Sequence, residues 1–166
     1  MNTFSDAFLA ALHLILGLDA GLLTVVGRSL AVSGLATLLA CAIGLVAGAW
    51  LAVARFTGRG AVLTVLNTLL AMPSVVVGLI VYLLLSRSGP LGFLGWLFSF
   101  QAMVLAQTLL VVPVVTALTR QAIEDADRHH GEQLASLGAG GSARGLLLAF
   151  DERYALLTVL LAAFGR

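Results

Sequence analysis

The chain contains no lysine; all nine of its basic residues are arginine. A phosphate-cradling P-loop needs a lysine that reaches the β- and γ-phosphates. Its absence excludes such a loop, and with it lysine Schiff-base chemistry, so any work done with ATP requires a second chain to bind the nucleotide. Cysteine is almost as scarce. Cys41 stands alone inside an apolar run, which excludes an intrachain disulfide and a thiolate metal cluster and leaves a small apolar packing group. Charge itself is scarce: 10% of the 166 residues are charged and 60% are hydrophobic, with a mean hydropathy of +1.07. Soluble domains carry about a quarter charged residues, so this composition describes an integral membrane protein. No basic residue precedes Arg28, and the N-terminus therefore lacks the positive flank of a cleavable signal peptide.

Because an isolated charge at the bilayer centre costs about 2.5–3.5 kcal/mol, charge-free intervals delimit the expected spans. The first runs from Ser29 to Ala54 and the second over 61–85. The third interval, Ser88 to Thr119, opens with SGPLGFLG, a turn signal with Pro90 and three glycines, which places the third helix at 99–119. About twenty apolar residues suffice to cross. The apolar run after Arg153 holds twelve residues before Arg166, about 18 Å of helix against a core of about 30 Å. It reads as part of a fourth span (154–166), and a truncated chain is expected. Residues 7–18 are too short to span and are expected to lie along the outer interface within an external tail (1–28). Six arginines fall in RFTGR and in the loop 120–153, and two (Arg28 and Arg87) on the other side. By the positive-inside rule, the six face the cytoplasm and the N-terminus faces outward.

The spans carry few polar groups. Small residues recur every four positions at Ala36, Ala40, Gly44, Gly48 and Ala52, and Gly44 with Gly48 forms a GxxxG step that allows close helix approach in lipid. In the second span Pro73 removes a backbone donor, which predicts a kink near 69–74. Asn67, Pro73 and Ser74 there, with Gln107 and Thr108 in the third, are the candidates for facing a translocation path; interhelical hydrogen bonding is the plainer alternative. No carboxylate or histidine lies deep in the first three spans, which disfavours a proton relay or ion-coupled charge pair.

The loop 120–153 is more organised than a connector needs. Ile123, Ala126, His130, Leu134 and Leu137 recur at helical spacing, and Gly138 follows as a helix stop. GAGGSARG and a second apolar run, Leu146 to Phe150, come next. The pattern predicts a short amphipathic helix, a sharp turn and a second short helix, forming a docking surface. Adjacent histidines on a helix point about 100° apart, so His129 and His130 do not make a metal site.

At these residues the chain resembles the permeases of binding-protein-dependent ABC importers, which carry an E-A-A motif with a glycine six positions after the Glu. Glu132, Gln133 and Leu134 stand at E-A-A, Gly138 is six positions on, and Leu148 is ten beyond it at the motif's apolar position. Gln133 and Leu134 replace the two alanines, and Phe150-Asp151 stands where Leu-Pro is usual. The stretches NTLLAMPSVVVGLIVYLLLSRSGPLGF and LVVPVVTALTR are similar to the subgroup that imports oxyanions, tungstate and molybdate. The resemblance implies an all-α transmembrane domain with a five-span core, sited in a bacterial or archaeal inner membrane. It implies no cofactor and no catalytic residue. The implied partners are a homodimeric ABC ATPase, a second permease copy and an extracytoplasmic oxyanion-binding protein. Glu132 and Gly138 would orient a coupling helix in a cleft of the ATPase, and Leu134 and Leu137 would pack it. The alternatives are a non-transporting membrane scaffold or an inactive truncated permease; a membrane enzyme is disfavoured by the absence of histidine from the spans.

Overall fold

A computed structural model describes residues 3–17, 19–136, 147–148 and 150–165. They form an all-α bundle: α1 (Thr3–Leu16), α2 (Ala20–Val53), α3 (Arg59–Ala71), α4 (Ser74–Leu85), a 3-10 turn at Gly92–Leu94, α5 (Phe100–Ser136) and α6 (Arg153–Phe164), with no strand among the described residues.

Helix α2 starts at Ala20, well before the first span expected from charge. Asp19 caps it: its Oδ1 accepts from the Leu22 amide at 3.1 Å, satisfying one of the donors that a helix start leaves free. At 34 residues α2 is about 51 Å long, which exceeds a bilayer core of about 30 Å. Arg28 can therefore ride on the helix beyond the apolar part.

The second expected span is two helices bent by 100°, and the position of Pro73 explains why the change of direction exceeds a kink. The residue before a proline is pushed away from helical geometry; Met72 is extended (φ −67°, ψ 129°) and so is Pro73 (φ −61°, ψ 137°). Two consecutive extended residues redirect the chain, whereas one lost hydrogen bond only tilts it.

Helix α5 also differs from expectation. It runs unbroken for 37 residues, so the amphipathic segment from Ile123 is its continuation and not a separate short helix. Pro113 lies inside it and is buried.

Helices α2 and α5 make the most extensive contact among the described elements. Their seam carries three apolar clusters. Val32, Ala36 and Val104 pack at one end. Ala40, Cys41, Val111 and Val115 meet Val159 and Ala163 of α6 in the middle. Ile123 and Ala126 close on Leu148 at the other end, backed by Ala49, Ala52 and Val53. Side chains away from the seam are apolar and uncovered, Leu38 at 65%, Val46 at 71% and Val75 at 80% exposure, as a surface facing lipid would be. Among the described residues two helices, Ala20–Val53 and Phe100–His129, are long and apolar enough to cross a membrane, or three spans result if the bent pair counts as one.

Candidate functional site

The seam is built on Gly44 and Gly48. A Cβ placed on Gly44 would lie 2.8 Å from Val115 Cβ, and one on Gly48 would lie 2.6 Å from the Thr116 carbonyl oxygen and 2.7 Å from Thr119 Cβ. Backbone meets backbone here, with no room for a methyl group. This fixes the axial register of α2 on α5 and so decides which polar groups of the two helices face each other.

One such pair lies toward the N-terminal part of α2. Gln107 donates from Nε2 to Ser33 Oγ at 3.2 Å. Both line a cleft of about 460 Å3 that is shared with Arg28, Ser29, Val32 and Met103. Thr108 is buried and turns its hydroxyl onto its own helix, donating to the Val104 carbonyl at 2.7 Å. It therefore presents a methyl group more than a hydrogen-bonding group. Asn67 is exposed on α3, and Pro73 and Ser74 are exposed at the break; none of the three lines the cleft that holds Gln107. The five path residues are thus split: Gln107 faces a largely apolar cleft that also holds Arg28, Ser29 and Ser33, Thr108 is self-satisfied, and the three others face outward on a separate pair of helices.

The opposite end of the bundle holds an ion network that the sequence reading did not contain. Glu124 on α5 accepts from Arg120 Nη1 at 2.9 Å on each of its oxygens and pairs with Arg59 Nη2 at the start of α3. Arg59 also donates from Nε to the Leu51 carbonyl at 3.2 Å. That carbonyl lies in the last turn of α2, where acceptors lack helical partners and a cation is favoured. One carboxylate thereby ties three helices together. The i,i+4 spacing of Arg120 and Glu124 was visible in the sequence; the arrival of Arg59, 65 positions away, was not.

The motif of the long loop lies just beyond. Glu132 and Leu134 are in the last two turns of α5, whereas Leu137 and Gly138 lie outside the described residues. Leu148 is 1% exposed against Ile123 and Ala126. The apolar face expected to dock elsewhere is therefore covered, over its first turn, by the bundle itself. Among the described residues, no group of three or more His, Cys, Asp or Glu is placed to hold a metal.

Comparison with known proteins identifies the architecture. The profile of the family described as "binding-protein-dependent transport system inner membrane component" matches residues 44–146, more than half of the chain. A probable anion ABC transporter permease of Haloferax volcanii is 40% identical over 87% of this chain and 62% of its own length. The tungstate uptake system permease TupB of Peptoclostridium acidaminophilum is 32% identical over all of this chain and 73% of its own. TupB of Campylobacter jejuni is 33% identical over 97% of this chain and 67% of its own. The chain thus spans between about three fifths and three quarters of the length of these relatives. A charge-poor helical bundle, a matching profile over most of its length and relatives above 30% identity all agree, and this chain belongs to the family of binding-protein-dependent transport system inner membrane components.

Proposed function

We propose that this chain is the permease subunit of an ATP-driven importer of tetrahedral oxyanions of the tungstate and molybdate kind, and that it hydrolyses nothing itself. The observation that carries the reading is its likeness to two tungstate uptake permeases over 97–100% of its length. ATP is hydrolysed on a separate homodimeric ATPase, in keeping with the absence of lysine. A second permease copy completes the pathway and an external binding protein delivers the anion. The end carrying RFTGR and Glu132 faces the cytoplasm, where six of the arginines lie, and the N-terminus faces outward.

In this reading α5 is the lever. Glu132 and Gln107 are on one continuous helix, about 38 Å apart at 1.5 Å per residue. A push on Glu132 and Leu134 by a closing ATPase dimer reaches Gln107 without crossing a loop, and Leu137 and Gly138 would belong to the same docking surface. Pro113 interrupts the hydrogen-bond ladder between them and supplies a place for α5 to flex. The Glu124 network carries the same displacement to α3, and Ser74, Pro73 and Asn67 move with the break. The two nucleotide states of the ATPase must favour different positions of this lever for transport to follow.

The test is co-purification. An affinity-tagged chain should retain its cognate ATPase from detergent extracts, and the pair Glu132→Arg and Gly138→Pro should release it while leaving the permease in the membrane. A well-inserted protein that retains no ATPase under any nucleotide condition contradicts the reading.

A further inference from the structure

The cleft that holds Gln107 has a chemistry the transport reading alone does not assign. It lies between the first half of α2 and α5, with a volume of about 460 Å3. At about 30 Å3 per water, there is room for a small anion and much of its hydration shell. Among the described residues its lining contains one full charge, Arg28, and no acidic residue. Arg28 forms no ion pair among the described residues. Arg59 and Arg120, by contrast, are both engaged by Glu124 at the other end of the bundle.

The neutral groups around Arg28 have protons left to donate. Gln107 donates one amide proton to Ser33 Oγ, which as the acceptor keeps its own hydroxyl proton to donate elsewhere. The second amide proton of Gln107 is likewise left over. Ser29 adds a further hydroxyl beside Arg28. Thr24 contributes none, because its hydroxyl donates to the Ala20 carbonyl at 2.7 Å. One guanidinium, two hydroxyls and an amide, with no carboxylate, form a donor set for an oxyanion and not for a cation. Val25, Val32 and Met103 line the rest; Arg28 and Ser29 are exposed at its mouth, where an anion arriving from water can reach them.

We propose that Arg28, Ser29, Ser33 and Gln107 form an oxyanion vestibule at the end of the bundle remote from Glu132. The transported dianion occupies it transiently on its way into the membrane. This rests on the importer reading and adds to it a site within the permease. A single guanidinium offers capture without tight retention, as a transit site requires. A phospholipid phosphate presents the same chemistry at a membrane boundary, and it is the competing occupant.

The test uses the chain reconstituted in liposomes with its ATPase and binding protein, following tungstate uptake and ATP hydrolysis together. Arg28→Gln is expected to lower uptake about tenfold while hydrolysis stimulated by the loaded binding protein persists, and Arg28→Lys to restore about half of the uptake. Ser29→Asp places a negative charge in the same cleft on an exposed position and is expected to depress uptake at least as far, which keeps the test intact if Arg28→Gln inserts poorly. Wild-type uptake accompanied by unchanged uptake in Arg28→Gln and Ser29→Asp overturns the vestibule alone. Loss of co-purified phospholipid from Arg28→Gln with uptake unchanged assigns the cleft to a lipid headgroup and also overturns it. A wild-type complex that transports neither tungstate nor molybdate contradicts the importer reading, and the vestibule with it.

Discussion

The contact at Gly48 makes a quantitative prediction. In Gly48→Ala the new Cβ would begin 2.6 Å from the Thr116 carbonyl oxygen and 2.7 Å from Thr119 Cβ, whereas non-bonded carbons rest about 3.5–4.0 Å apart. One contact is backbone, so no side-chain rotation relieves it, and α2 must retreat from α5 by roughly 1 Å. A gap of about 0.5–1 Å forfeits a quarter to a half of each dispersion contact along the seam, and overpacking typically costs about 1–3 kcal/mol. The expected loss lies in the upper half of that range, about 2–3 kcal/mol, roughly a 25- to 140-fold fall in the folded-to-unfolded ratio at about 1.4 kcal/mol per decade. Gly34→Ala is the matched control, because nothing lies within 4 Å of a Cβ there and alanine is the better helix former by about 1 kcal/mol in water. Unfolding in mixed micelles by rising SDS, followed by circular dichroism, compares the two directly. If Gly48→Ala proves as stable as Gly34→Ala, the account of the seam as backbone-on-backbone packing fails.

Three further outcomes follow from the geometry. Glu124→Gln leaves Arg59 and Arg120 facing each other at a partly buried site; a loss of about 1–2 kcal/mol is expected, and a double-mutant cycle with Arg59→Met should return a coupling energy above about 0.5 kcal/mol. The bend between α3 and α4 predicts about 19 Å between spin labels at positions 62 and 83 in a Cys41→Ala background, against about 31 Å for a straight helix. Pro73→Ala should lengthen that distance, and a distribution already centred near 31 Å in the parent would remove the broken helix from the account. Cys41 is buried in the seam, so maleimide labelling in intact membranes should be slow and should accelerate in Gly48→Ala as the helices part.

Much of this was legible in the residues, and what was not had physical causes. The scarcity of charge pointed to a membrane protein, in keeping with the family that the chain belongs to. Glu132 and Gly138, with the oxyanion-permease stretches, pointed to the family that the profile and relatives establish. Element boundaries were harder. Charge-free intervals measure what a bilayer tolerates, whereas α2 begins where Asp19 caps it and α5 continues wherever helical hydrogen bonds do. Pro73 announced a disturbance, but a proline alone does not set its angle; the extended geometry of Met72 does. The Glu124 network depends on Arg59, a partner 65 positions away, and no local pattern encodes that meeting. Ser33 passed unremarked for the same reason, since its place beside Gln107 follows from the register fixed at Gly44 and Gly48.

The claim that matters most is that this chain passes oxyanions at the expense of ATP hydrolysed elsewhere. Radiolabelled tungstate uptake into proteoliposomes containing the chain, its ATPase and its binding protein tests it directly. The account predicts uptake that requires ATP on the ATPase side, is competed by molybdate and disappears when Glu132→Arg is introduced. Uptake independent of ATP, or none with all three components present, would contradict it.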